Sequence, residues 1–220
     1  GDLSIKRCIT QARKMARQSK EEKLVFPAQK PTSKVDIKDR RMWNEPESAV
    51  DEFQEKLLDA AAKTGVELPF AKIRAFKIRS MIMNSEGLDR EKEETLFFTE
   101  VCYKSSGGGK LSEFWTTRYA RRLEDVSLTS IEEWAELSKA SLNAKPPKTE
   151  RLEVIFSPQV ACDLFVPVMN GQCTGLSLKQ AISRFEEGET VADETLSIID
   201  DGLHPFGIQS SPFDDEGNPQ

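Results

Sequence analysis

Residues 70–121 read FAKIRAFKIRSMIMNSEGLDREKEETLFFTEVCYKSSGGGKLSEFWTTRYAR. Apolar and polar residues alternate through Phe70 to Met83, which sets Phe76, Ile78 and Ile82 on one face and Lys77, Arg79, Met81 and Met83 on the other. A period of two is the pleat of a β-strand. Asn84-Ser85-Glu86-Gly87 has the composition of a turn, and a second strand is expected at about Thr95 to Tyr103. A glycine turn at Ser105 to Gly109 leads to a third strand at about Leu111 to Arg121. Strands joined by turns this short can only run antiparallel, so the stretch predicts a meander.

The flanks predict helices that cover it. Pro46 opens one, with Val50, Phe53, Leu57, Leu58 and Ala61 on a stripe and Lys63 and Gly65 at its end. Another spans about Ser130 to Asn143, with Thr129 as cap, Glu132 as capping-box partner, and Ile131, Trp134, Ala135, Leu137 and Ser138 inward. Near the start, Asp2 can cap a helix with Leu3, Ile5, Cys8, Ile9, Ala12, Met15 and Ala16 opposite Lys6, Arg13, Lys14 and Arg17. Residues Lys20 to Asn44, with Pro27 and Pro31, read as an extended, solvated connector.

After the linker Lys145-Pro146-Pro147-Lys148, Arg151 to Phe165 (RLEVIFSPQVACDLF) reads as a strand entering a helix. Ser157 is placed to cap it, Pro158 to be its first residue, and Val160, Ala161, Leu164, Phe165 and Val168 to form its packed side. Ser177 and Gln180 suggest a further helix to about Phe185, and Val191 to Asp200 a strand with Leu196 and Ile198 inward. The fold class is thus α+β: an antiparallel β meander with packed helices, followed by a strand-helix-helix-strand segment. The expected domains are 1–145, an N-terminal α+β domain incomplete at its start, and 150–220, the truncated beginning of a second domain. The turn-rich tail reads as a cut end.

Composition narrows the function classes. The chain has 220 residues, 38% of them hydrophobic, with 31 Lys and Arg against 37 Asp and Glu for a net charge of −6. Its isoelectric point near 5.1 argues against broad attraction to nucleic acid or anionic membrane. With no signal core and no apolar run able to span a bilayer, a cytoplasmic location is expected. Lys34, Lys38, Arg40 and Arg41 gather beside Trp43, yet Asp36 and Asp39 dilute them into a solvated loop.

Chemistry-bearing residues are sparse. Cys8, Cys102, Cys162 and Cys173 form no CxxC pair and His204 is the one histidine, so no zinc site built from this chain is expected. Cys162 and Cys173 remain able to meet in space; otherwise the four are free thiols. Gly107-Gly108-Gly109-Lys110 has Leu111 where a phosphate loop needs Ser or Thr, which leaves a hairpin tip. Asp200-Asp201 and Asp214-Asp215-Glu216 do not have the spacing of a calcium loop and read as turns. His204 stands before Pro205 with no nucleophile elbow near it. Read from the residues alone, there is no catalytic, cofactor-binding or metal-binding residue to name.

The stretch LEVIFSPQVACDLF, the block ETLSIIDDGLHPFGIQSSPFDDEGNP, the turn MIMNSEGL and the helix SIEEWAELSKASLNAK together resemble the TldD/PmbA family. Its members are described as modulators of DNA gyrase and as peptide-maturation or antitoxin-processing proteases, and are about twice as long, so the chain resembles an interior fragment. In the TldD branch the helix after this strand carries a His-Glu-x-x-x-His zinc motif; here it reads PQVACDLFVPVMN. The resemblance therefore implies the PmbA branch, also called TldE: a non-catalytic partner of a TldD-type zinc metalloprotease, without cofactor, acting on peptide substrate and able to form a homodimer. It leaves open a regulatory protein that binds gyrase, and a hydrolase using His204. Phe213 to Gly217 is implied as a family signature, a structural turn with no catalytic role.

Overall fold

The computed structural model describes residues 2–18, 25–126 and 130–220. Thr129, expected as a cap, lies outside them. Two compact units form: Gly1–Leu142 with Asp201–Gln220, and Asn143–Asp200.

In the first unit the order is α1 (Asp2–Ala16), α2 (Arg40–Asn44), α3 (Pro46–Thr64), β1 (Glu67–Met83), β2 (Asp89–Gly107), β3 (Lys110–Ala120) and α4 (Ser130–Ser141). The strands pair antiparallel in the order β1-β2-β3. This is the expected meander. Its second turn is reduced to Gly108 and Gly109, at φ +59° and +74°, between the paired residues Gly107 and Lys110. Both central residues of such a turn need the left-handed region, which glycine reaches without a Cβ penalty.

One face of the sheet, carrying Phe97, Val101 and Tyr103, meets α3 and α4. Phe53 of α3 meets Phe97 edge-on at 5.6 Å, and Ala49, Leu57 and Ala60 extend the same stripe. Ile131, Trp134, Ala135 and Ser138 bury the inner side of α4. Ser138 Oγ donates to Ser105 Oγ at 2.9 Å, and its carbonyl accepts from Ser112. That explains a serine in the core: it ties α4 to two strands at once. Leu58 and Leu137, expected inward, are exposed, because each lies one residue past the buried arc of its helix.

The connector is less solvated than expected. Asp39 Oδ1 caps α2 by accepting from the Met42 amide at 2.6 Å, and Ile37 and Met42 are buried. β2 begins six residues earlier than Thr95, at Asp89. Its first residues, DREKEE, carry no apolar alternation, and pairing with β1 from Met83↔Asp89 onward makes them a strand.

The second unit, taken by itself, holds α5 (Pro158–Gln172) and α6 (Gly175–Lys179). Ser157 caps α5 with Pro158 following, as expected. Three expectations are corrected. Residues 151–156 and 191–200 are not strands, because a strand exists through its neighbour's hydrogen bonds, and among the described residues no strand lies beside either. The stripe Val160, Leu164, Phe165 and Val168 is exposed, so this helix is not a core element. Thr174, not Ser177, caps α6, which ends at Lys179 well short of Phe185.

Candidate functional site

The sheet has a second face, and its chemistry follows from register. Paired residues of antiparallel strands share a face, so the even-numbered residues of β2 lie opposite those that meet α3 and α4. From one end this outer face carries Arg90, Lys92, Glu94, Leu96, Phe98, Glu100 and Cys102. Arg121, just past β3, joins it. The face divides into a covered half and an open half.

The covered half is held by arginines. Arg121, buried, donates from Nε to the Gly207 carbonyl at 2.8 Å and from Nη2 to those of Ile208 at 2.7 Å and Ser210 at 3.2 Å. Its Nη1 pairs with Glu94 Oε2 at 2.8 Å. Arg90 donates from Nε to the Gly217 carbonyl at 2.6 Å and from Nη2 to that of Lys30 at 2.8 Å, while Lys92 Nζ reaches Ser211 Oγ at 3.1 Å. Phe213 lies against Arg90 and Lys92 of β2, at 5.7 Å from each, and the Arg122 guanidinium covers the Phe206 ring at 4.1 Å. A turn-rich piece of chain, 201–220, is thus laid over the sheet and gripped by its backbone oxygens. Guanidinium suits the task, since its fork serves several acceptors from one buried position.

Within this segment Phe213 to Gly217 forms a closed turn. Asp214 Oδ1 accepts from the amides of Glu216 at 3.0 Å and Asn218 at 2.7 Å, and Oδ2 from the Asn218 side chain at 3.1 Å. Partial burial alone would push this carboxyl up; the bonds from Asn218 and Glu216 outweigh it and hold it below the usual aspartate range. Gly217, at φ +93°, is packed so that a Cβ would strike Leu88. Beside the turn, Val25, Phe26, Ile82, Met83, Asp215 and Glu216 line a cleft of about 410 Å³.

The open half carries rings. Phe70, Cys102 and Trp115 share one rung, with the Phe70 and Trp115 rings 5.6 Å apart and the Cys102 thiol buried beside them. Four residues along each strand, Phe98 and Tyr119 are 5.1 Å apart, and Lys72 Nζ lies 5.6 Å from the Phe98 ring. Burial pushes the Cys102 thiol up, which keeps it protonated and unreactive.

The residues weighed in the sequence are scattered. Cys8, Cys162 and Cys173 are exposed free thiols. His204 is exposed on a turn, its amide donating to the Asp201 carbonyl, and Gly108 with Gly109 is a hairpin tip. Lys38 pairs with Glu93 at 2.6 Å and covers Trp43 at 4.9 Å, which is structural use of the basic run. Among the described residues no three of His, Cys, Asp and Glu stand together as a metal site. On α5 the donors are Cys162 and Asp163, adjacent and therefore about 100° apart around the helix, whereas zinc needs ligands on one face. That donor set does not fit a zinc ion. The functional residues that sequence reading missed are Arg90 and Arg121; a cation amid apolar alternation was the one signal available for Arg121.

A three-stranded meander backed by helices, with a C-terminal segment clasped across its open face, defines an α+β fold seen in solved structures. TldE from Thermococcus kodakarensis matches with a TM-score of 0.76 at 20% identity, over 100% of this chain and 51% of that one. A Thermotoga maritima protein described as a candidate modulator of a DNA gyrase matches with a TM-score of 0.70 at 22% identity, over 90% of this chain and 47% of that one. An uncharacterized Methanocaldococcus jannaschii protein is 25% identical over 140 residues, 62% of this chain and 32% of that protein. The chain therefore spans about half the length of the solved relatives, and its match covers less of the Methanocaldococcus protein. Residues 149–220 match the family model described as the PmbA/TldA metallopeptidase C-terminal domain. Over that stretch the chain is similar to the TldD/PmbA family.

Proposed function

We propose that this chain acts as a PmbA/TldE-like, non-catalytic partner subunit of a TldD-type zinc metalloprotease that processes peptides or unfolded proteins in the cytoplasm. Residues 1–145 would be its N-terminal α+β domain and 150–220 the opening of its C-terminal domain. The observation that carries the reading is the sequence of α5, PQVACDLFVPVMN, which offers no pair of imidazoles on one face inside a segment matched by a metallopeptidase family model. The likeness to a TldE over the full chain supports the same branch. The description of the Thermotoga relative favours a second reading, a gyrase modulator that acts by binding alone. No described helix is long and apolar enough to cross a membrane.

Affinity capture decides between the two. The tagged chain is mixed with a TldD-type subunit and, separately, with gyrase subunits, and zinc and peptidase activity are measured in each eluate. Retention of the TldD-type subunit, with zinc and cleavage only when it is present, is the expected result. Retention of gyrase alone, or cleavage by the isolated chain, would overturn the proposal.

A further inference from the structure

β1 is an edge of the sheet, and its far side carries an unused ladder. The strand order sets β2 on one side of β1 only, and among the described residues no strand, turn or loop bonds to the backbone of Phe70 to Met83 outside the ladder with β2. Every second residue of such a strand turns its N–H and C=O outward. None of the 17 residues of β1 is buried. Past the irregularity between Glu67 and Phe70, its register runs unbroken to Met83, with no bulge and no proline to blunt it. A regular, unpaired edge of this length is a template for one more strand.

The charges bordering the edge choose the strand. On the ring-bearing side Lys72 and Arg74 follow one another between Phe70 and Phe76, and neither makes an ion pair among the described residues. On the rungs from Phe70 to Phe76 this side carries one carboxylate, that of Glu100 opposite Lys72, so two cations face one anion. On the helix side the balance is reversed. Arg79 is bonded to Glu91, while Glu47 and Asp51 of α3 share a cleft with Ala75 and outnumber Lys77. We propose that the free edge of β1 takes a strand from a partner polypeptide, with carboxylates on the ring-bearing side, opposite Lys72 and Arg74, and uncharged residues on the helix side. β2 is the precedent on the other edge of the same strand, where it sets Glu100 against Lys72 and Thr95 against Lys77. A second copy of β1 fits poorly. The two-fold axis that joins two edges into one antiparallel sheet is perpendicular to it, so Lys72 and Arg74 of both copies would crowd one side of the joint.

The experiment uses the chain as it is and a fluorescein-labelled, end-capped peptide, Thr-Val-Thr-Val-Thr-Glu-Thr-Glu-Thr-Val, read by fluorescence anisotropy. Its Glu residues have the spacing of Lys72 and Arg74, and Thr fills its other side. Saturable binding is expected. A peptide with Lys for Glu should not bind, nor should one methylated at its backbone nitrogens, which keeps the charges and loses the ladder's donors. Lys72→Gln/Arg74→Gln should weaken binding about 3-fold or more, through the loss of two cross-strand charge pairs. Lys72→Glu/Arg74→Glu should take the Lys peptide in place of the Glu peptide. If far-UV circular dichroism shows a double variant misfolded, Arg74→Glu alone, at an exposed position, should show the same reversal to a smaller degree. Hydrogen exchange locates the bound strand: alternate amides between Phe70 and Met83 should gain protection, and those of β3 should not. Absence of saturable binding would overturn the proposal, as would equal binding by the Lys or the methylated peptide. Protection gained on β3 in place of β1 would overturn it too. So would a dimer in sedimentation that the Glu peptide leaves intact, which would make a second copy the occupant.

Discussion

Arg121→Met should release residues 201–220 from the sheet. The side chain is 4% exposed and gives up three bonds to tail carbonyls, at 2.7 to 3.2 Å, together with its ion pair to Glu94, whose side chain is 14% exposed. Methionine keeps the apolar stem and removes the guanidinium. Breaking a buried pair by deleting one partner costs about 3–5 kcal/mol, mainly from the charge left behind; Lys92 Nζ, 4.0 Å from Glu94 Oε2, offsets part of that charge and places the cost toward the lower figure. The carbonyls of Gly207, Ile208 and Ser210 would lose their donor, and at about 1 kcal/mol for each net hydrogen bond the tail's share of that loss is comparable. Urea unfolding gives the total, and hydrogen exchange shows where it falls: amide protection of residues 206–218 should drop well before that of β2. Arg121→Met/Glu94→Gln separates the two contributions. It should recover part of the stability, since Glu94 no longer carries a charge held only by Lys92 at 4.0 Å, while tail protection stays low. A loss under about 1 kcal/mol, or an unchanged exchange profile over 206–218, would refute the clasp.

Other expectations concern single groups. Asp214 is held below the ordinary aspartate range, so its contribution is full above the unfolded value near 3.8 and is lost as pH falls through the folded one; acid titration followed by exchange should loosen 213–218 first, and Asp214→Ala should remove that step. Gly217→Ala combines a positive φ with a collision against Leu88 and should cost about 1–3 kcal/mol, measured as a lower urea midpoint with an unchanged slope. The Tyr103 hydroxyl is buried beside that of Thr116 and, among the described residues, makes no hydrogen bond of good geometry, so Tyr103→Phe should be neutral or stabilising by up to about 1 kcal/mol; a loss above about 1 kcal/mol in denaturant unfolding would mean that Thr116 serves as its partner. A thiol-reactive dye should modify Cys8, Cys162 and Cys173 quickly and Cys102 only on unfolding.

The meander, α3, α4 and the start of α5 were legible because each rests on local periodicity or on a cap within a few residues. Where the expectation failed, a non-local partner was the deciding term. The first six residues of β2 look unfit for a strand, since their charges face salt partners and the tail, not a core. Residues 151–156 have β-forming side chains and no neighbouring strand. The stripe of α5 has the spacing of a packed helix and stays exposed, because periodicity states which residues would be buried together and not whether anything is there to bury them.

The same division holds for function. Sequence by itself determined that the chain is α+β, that it carries no pair of zinc ligands on the helix after Ser157-Pro158, and that it resembles one family through blocks from Met81 onward. Tertiary structure alone decided that Arg90 reaches Gly217, 127 residues away, and that Arg121 reaches the carbonyls of residues 207–210. The reason is physical. A periodic pattern is a property of neighbouring residues, whereas a buried guanidinium declares its purpose only through the acceptors that a distant segment brings to it.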